Sequence, residues 1–350
     1  MLPNIIMTSI QYQQPQHANR KVPRARYMQY YKDLYQYQNK KITEESFYEG
    51  SQFTYAELCD AVLSPYEQQG KLNNIDLLMF AYWAYEFDPD YASCGAYVCY
   101  KYQLNCKMFD VSEQGSIAPF TAIKLIISFI KNTDINKALL LILEQTTIPH
   151  VKAEHVLIPE TTGAIAMLLE REKPFTLATE HIPPHDRDNQ HPKYRVMLAD
   201  ILPILFLPEN PLANPLENSQ ESQHYYRLFM NFIDDYLSKI NNNANTDIFI
   251  RKKSRLWTLF NYYSSKLPKH CHLVDNISNE IGCLQPFIAI YAADQQPADS
   301  GAVKNNIVVL DEDVESHAVG IIILSPSHSS SHIKDKNNKD KINKEIHHAK

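Results

Sequence analysis

Apolar positions along this chain fall into two rhythms: short unbroken runs, and stretches that recur every three or four residues. The first run, within Asn4–Ile10, places Ile5, Ile6, Met7 and Ile10 in a short strand. Arg20–Lys41 follows, with Arg20, Lys21, Arg24 and Arg26 among Tyr27, Tyr30, Tyr31, Tyr35 and Tyr37. Basic residues interleaved with aromatics can bind single strands of nucleic acid, but this near-helical spacing favours a surface helix with one packed aromatic face. Residues 52–68 form a second helix, with Tyr55, Leu58, Cys59 and Val62 on one face. Ile75–Ala81 is continuously apolar, as in a strand covered on both faces.

The next stretch, FDVSEQGSIAPFTAIKLIISFIKNTDINKALLLILE, reads as strand, small-residue elbow, apolar helix and buried strand. Its strand is Lys107–Val111, its helix Ile117–Lys131 and its second strand Ala138–Leu143. The helix is apolar nearly all round, which places it inside a domain. Gly163–Leu169 is another strand. Residues 173–220 turn rich in Pro, Asn, Gln and His and read as a surface excursion between two halves. Beyond it come a helix at Gln223–Ile240, a strand at Asp247–Ile250, a helix at Ser254–Lys266 and a helix at Cys283–Ala293. Asn306–Leu310 and Val319–Leu324 pair as a hairpin, and the polar, low-complexity residues from Ser325 onward predict disorder. The resulting division is 1–175, a connecting excursion at 176–220, a second half at 221–325 and a tail at 326–350.

Composition narrows the function. Hydrophobic residues make up 44% and charged residues 21% of 350, a globular balance. A net charge of −6 gives no global reason to expect nucleic acid or an anionic membrane. There are 8 glycines, where about 7% of residues is usual, and neither GxGxxG nor GxxxxGK[ST] occurs. That argues against a phosphate cradle, and no cofactor is expected. Cys94, Cys99 and Cys106 lack zinc spacing and no CxxC is present, so no metal is expected. The N-terminus lacks a signal-peptide pattern and no apolar run reaches about 18 residues, from which a cytoplasmic protein that does not engage a membrane is expected.

The elbow and its flanks resemble the thiolase-like fold, specifically the β-ketoacyl-acyl carrier protein synthase III type. IDLLMFA, IPETTGAIAMLLERE, DIFIRKKSRLWTLFNYYSSKL, NISNEIGCLQPFIAIYAA and NNIVVLDEDVESHAVGIIIL resemble further family segments in the family's order. The resemblance implies an α/β protein of two similar mixed-sheet halves in an αβαβα layered arrangement. It puts Ser116 in the place of the nucleophilic cysteine.

The family's chemistry joins acyl thioesters and needs a thiolate, a histidine and an asparagine for the enolate, and an oxyanion-binding glycine turn. Four departures stand out. The nucleophile is a serine, which needs a partnered base. The histidine segment reads Arg251-Lys252-Lys253-Ser254-Arg255. The asparagine motif falls on Gly282-Cys283, with Asn276 and Asn279 nearby but out of register. The glycine turn reads Asp311-Glu312-Asp313-Val314-Glu315-Ser316-His317, four acids and no glycine.

His317 is a candidate base for Ser116, as are His270, His272, Glu113 and Glu144; ordinary surface histidines and a satisfied strand-end carboxylate at Glu144 are the bland alternatives. His181, His185 and His191 read as a solvated loop. Arg251, Lys252, Lys253 and Arg255 suit either a solvated helix start or a phosphopantetheine phosphate. Two functions follow from the resemblance: a catalytically degenerate subunit, partner of an active ketosynthase in acyl or polyketide-type specialised metabolism, or an acyltransferase loading Ser116 from acyl carrier protein or acyl coenzyme A. A binding protein for a fatty or aromatic ligand is a third. The resemblance also implies a homo- or heterodimer, paired through the strand before Ser116 and placing Tyr97, Val98, Tyr100, Tyr102, Met108 and Phe109 near the contact.

Overall fold

A computed structural model describes residues 4–17, 22–151, 157–172, 194–203, 227, 231, 245–252, 254–262, 264, 267, 269–274, 282–295, 304–313 and 318–327. Strands β1 (Ile5–Gln13), β2 (Leu77–Tyr82), β3 (Lys107–Val111), β4 (Lys137–Glu144) and β5 (Gly163–Arg171) belong to the first half. Strands β6 (Tyr194–Pro203), β7 (Thr246–Ile250), β8 (Cys271–Val274), β9 (Asn306–Asp313) and β10 (Ala318–Pro326) belong to the second. The helices are α1 (Ala25–Tyr37), α2 (Tyr55–Gln68), α3 (Cys94–Lys101), α4 (Ala118–Asn132), α5 (Arg255–Tyr262) and α6 (Gln285–Gln295).

The hydrogen-bonded strand order is β3-β2-β4-β5-β1-β6-β10-β9-β7-β8. Read from the centre outward, each half runs first strand, fifth, fourth, second, third. The directions repeat too: β2 is parallel to β3 and β4, β7 is parallel to β8 and β9, and the remaining pairings are antiparallel. The halves join where Ile6 and Met7 of β1 face Arg195 and Tyr194 of β6.

Layering follows from burial. Alternate residues of a strand face opposite sides, so Leu77, Met79 and Ala81 of β2 and Leu140 and Ile142 of β4 face α4 and α6 in a central core. That core also takes Ile307 and Val309 of β9 and Ile322 and Leu324 of β10. Leu78, Phe80, Leu139 and Leu141 face outward onto α2 and α3, while Ile248, Val308, Leu310 and Ile321 face outward onto α5. Strands covered on both sides need apolar residues at every position, which explains the unbroken runs in β2 and β4. The layers are therefore helix, sheet, paired helices, sheet, helix.

Local signals set the ends of several elements. Thr54 caps α2: its hydroxyl accepts from Glu57 N at 3.3 Å, and its own N–H donates to the Glu57 carboxylate at 3.0 Å. Ser254 caps α5 by accepting from Trp257 N at 3.0 Å. In α1, Tyr27 is buried and meets Phe47 and Phe87 edge-on, so the aromatic face of the basic segment is a packed one.

The structure corrects the sequence reading in two places. The stretch taken as a connecting excursion contains the ten-residue strand β6, the counterpart of β1 in sheet order, so the second half begins before residue 221. Its half-buried, antiparallel setting tolerates polar residues such as Arg195 and Asp200, which masked it. Helix α4 is not buried all round: Lys124, Leu125 and Ser128 lie on an exposed face. Val98 and Tyr102 are buried in the outer core. The Gln223–Ile240 reading lies outside the described residues save helical Arg227 and Asn231, and the tail from 328 lies outside them entirely. Among the described residues no helix is long and apolar enough to cross a membrane.

The two sheets close tightly on α4. A methyl group added at Gly320 of β10 would collide with the ring of Phe120, a fully buried residue of α4. Gly320→Ala should therefore destabilise the fold by about 1–3 kcal/mol through overpacking. Phe120→Leu added to that variant should recover part of the loss, as urea unfolding midpoints of the two variants would show.

Candidate functional site

Two elbows meet at the centre of the molecule. The first follows β3: Glu113 and Gly115 both take positive φ (58° and 53°), and the chain turns through residues 115–117 into α4 with Pro119 in its first turn. This puts Ser116 at the N-terminus of α4, almost fully buried. The second elbow precedes α6. Its sequence, Gly282-Cys283-Leu284-Gln285-Pro286-Phe287, repeats the pattern of Gly115-Ser116-Ile117-Ala118-Pro119-Phe120. Phe120 and Phe287 meet edge-to-face with centroids 5.4 Å apart, and Cys283 Sγ donates to the Gly115 carbonyl at 3.2 Å. The two helix starts thus touch across a pseudo-twofold axis.

Each elbow is closed by an acid at the end of the other half's fourth strand. Glu144, the last residue of β4, accepts from Cys283 N at 2.6 Å and Leu284 N at 3.2 Å. Carboxylates at helix N-termini satisfy otherwise unpaired N–H groups and complement the helix dipole. Asp313, the last residue of β9, packs against Gly115. A side chain at Gly282 would collide with the Glu144 carboxylate, and one at Gly115 with Asp313, so both close approaches require glycine. Glu144 is accordingly a structural carboxylate, the blander of its two readings.

The Ser116 hydroxyl donates to the backbone carbonyl of Glu312 at 3.3 Å. That same carbonyl accepts from Arg251 Nη2 at 2.6 Å. A carbonyl oxygen cannot take a proton from serine at neutral pH, so this hydrogen bond does not activate the hydroxyl. Around it lies a dense ion-pair set. Arg251 Nε donates to Asp311 Oδ1 at 2.9 Å, and Arg255 Nε pairs with Glu312 Oε1. The second Glu312 oxygen accepts from Leu256 N at 3.3 Å, in the first turn of α5. The arginine-rich segment and the acidic strand end, two separate departures in sequence, are therefore two sides of one network. That link was readable in principle from opposite charge, but their separation of about sixty residues hid it.

Burial dominates the electrostatics of the joint. Burial, reinforced by Glu144, Asp311 and Asp313, pushes the Cys283 thiol well above its usual value and keeps it protonated. Burial also raises Asp311, against the pull of Arg251 and of the Ser116 hydroxyl. Burial alone would lower Arg251, but Asp311 and its acidic neighbours outweigh it and raise the guanidinium.

Of the other candidates, Glu113 is exposed. His270 and His272 are exposed at β8, the sheet edge two strands from β9. His317, Asn276, Asn279, His181, His185 and His191 lie outside the described residues. What the sequence reading missed was the Gly-[Ser/Cys]-[Ile/Leu]-x-Pro-Phe repeat, visible as letters but obscured by the serine-for-cysteine difference.

No family model and no curated protein matches this chain. Solved structures do. A single-residue variant of Xanthomonas campestris OleA aligns with a TM-score of 0.55 at 12% identity, over 93% of this chain and 98% of that one. ChlB3, an acyltransferase, gives 0.57 at 10%, over 93% and 98%. AbyA1, a tetronic acid condensing enzyme, gives 0.54 at 11%, over 92% and 99%. Likeness at such identities is one of fold, and the fold is thiolase-like.

The Arg251–Asp311 pair makes a pH-dependent prediction. A raised carboxyl favours the folded state at low pH, and that stability is lost as pH rises from the unfolded value through the folded one. Removing Arg251 lifts Asp311 further and extends the loss. Arg251→Met should cost about 3–5 kcal/mol, and more at pH 8 than at pH 5 in urea unfolding.

Proposed function

We propose that this chain is a catalytically degenerate, ketosynthase III-like subunit that serves as the non-catalytic partner of an active ketosynthase chain in acyl or polyketide-type metabolism. The observation that carries this reading is the Arg251–Asp311–Glu312 network. It lies where the resemblance implies a histidine and an oxyanion-binding turn, and it leaves Ser116 bonded to a carbonyl. Condensation needs a group that takes a proton and donors that stabilise developing negative charge. Buried acids beside the elbow oppose the second, because they set negative charge where an oxyanion would form.

The free edge of the sheet supports a partner role. Among the described residues β3 has a neighbour only on its β2 side, and four of its five residues are exposed, Met108 and Phe109 among them. An exposed edge strand offers unpaired backbone groups for strand addition, and thiolase-like subunits pair through the strand before the nucleophile. A subunit that adds its edge and elbow surroundings to another chain contributes shape without chemistry.

Intact-protein mass spectrometry after incubation with a panel of acyl coenzyme A and acyl carrier protein substrates tests this. No covalent adduct should form on the wild type, and co-expression with a ketosynthase chain from the same source should yield a stable heteromer. An adduct that vanishes in Ser116→Ala would overturn the proposal in favour of a serine-dependent acyltransferase.

A further inference from the structure

The outer face of the first half's sheet holds a cavity remote in function from the elbows. Since Leu77, Met79 and Ala81 face α4, Tyr82 and Phe80 face the opposite side. There, beneath α1 and beside the first turns of α2 and α3, lies a space of about 370 Å³. That is within the range of small-molecule sites, and equals roughly a dozen waters at about 30 Å³ each.

Its lining has a consistent chemistry. Tyr31 of α1, Tyr55 of α2, and Tyr82 and Tyr85 at the end of β2 contribute rings, while Glu86 and Asp110 contribute carboxylates. No Lys, Arg or His is among the lining residues described. The roof is fixed in place: Arg24, just before α1, pairs with Asp88 at 2.5 Å and Asp90 at 2.8 Å. Its guanidinium also lies 4.9 Å above the ring of Tyr91, so this region already uses a tyrosine face to hold a cation.

Glu86 is held for the role. Its carboxylate accepts from Tyr55 N at 2.6 Å and Asp88 N at 3.2 Å, which fixes its orientation. The groups facing it are Tyr27 and Tyr31 from α1, Tyr55, Glu57 and Cys59 from α2, and Asp88, whose charge Arg24 already balances. Burial raises Glu86 to about 7, offset in part by those two backbone bonds.

We propose that this cavity binds a small organic ammonium ion, with the tyrosine rings surrounding the cation and Glu86 and Asp110 as its counter-charges. An anion would meet two carboxylates and no cationic donor. A neutral apolar ligand would deepen the burial of Glu86 without pairing it, which is unfavourable. An ammonium ion satisfies both features, as in aromatic cages. The site does not depend on whether Ser116 is reactive, since it lies on the other face of the sheet.

Calorimetric titration of the full chain with 2-phenylethylammonium and with 2-phenylethanol, its near-isosteric neutral counterpart, tests the assignment. The ammonium should bind saturably, and the alcohol at least tenfold more weakly. Binding should tighten about tenfold from pH 6 to pH 8, as Glu86 loses its proton through about 7. Glu86→Gln should weaken the ammonium at least tenfold and remove that pH dependence; Asp110→Asn, at an exposed position, should weaken it while folding normally by circular dichroism. Equal binding of the alcohol, no saturable binding at millimolar ammonium, or an unchanged affinity in both variants would each overturn the proposal.

Discussion

Everything in this structure is arranged around the contact between two helix starts. Helices α4 and α6 begin at elbows of like sequence, and each elbow is closed by a carboxylate from the other half: Glu144 on the Cys283–Leu284 amides, Asp313 against Gly115. Such crossed closure makes the halves interdependent. The two glycines leave room for the acids, the helix dipole favours them there, and Phe120 against Phe287 seals the apolar side of the joint. The sheets then stack on either side of the central helices, each presenting its inner alternate residues to a shared core.

That arrangement also defines what the centre can do. The joint between the elbows is buried, acidic and already hydrogen-bonded, with Arg251 and Arg255 neutralising the strand end that adjoins Ser116. Buried ion pairs of this kind are seldom strong contributors to stability against an apolar alternative, but breaking one leaves a charge stranded. A centre so occupied keeps the thiolase-like architecture while surrounding Ser116 with a backbone carbonyl and an ion-paired strand end. A common scaffold can carry different sites, so the fold alone does not set the chemistry.

Much of the fold was legible in the sequence because doubly covered strands must be apolar throughout. β2, β4 and β5 announced themselves in this way, and the strand–elbow–helix around Ser116 carried the family resemblance. β6 was not legible: a half-buried antiparallel strand bearing Arg195 and Asp200 within a Pro- and His-rich stretch looks like a loop. The candidate site was legible only as a set of departures. Arginines in place of a histidine and acids in place of glycine read as two separate losses, whereas in space they are two sides of one network. The outer cavity was invisible for a similar reason, since its tyrosines come from α1, α2 and β2, and helical spacing alone reports only that α1 has a packed face.

The central claim is that the two elbows are closed against each other, and Cys283 reports on it directly. The rate at which iodoacetamide alkylates Cys283, followed by peptide mass spectrometry in native protein and in urea, measures access to the joint. The account predicts that native Cys283 reacts only as fast as the molecule unfolds, its thiol buried, protonated and donating to Gly115. Rapid alkylation in the native state, at a rate close to that in urea, would mean the centre is open and reactive, and would contradict it.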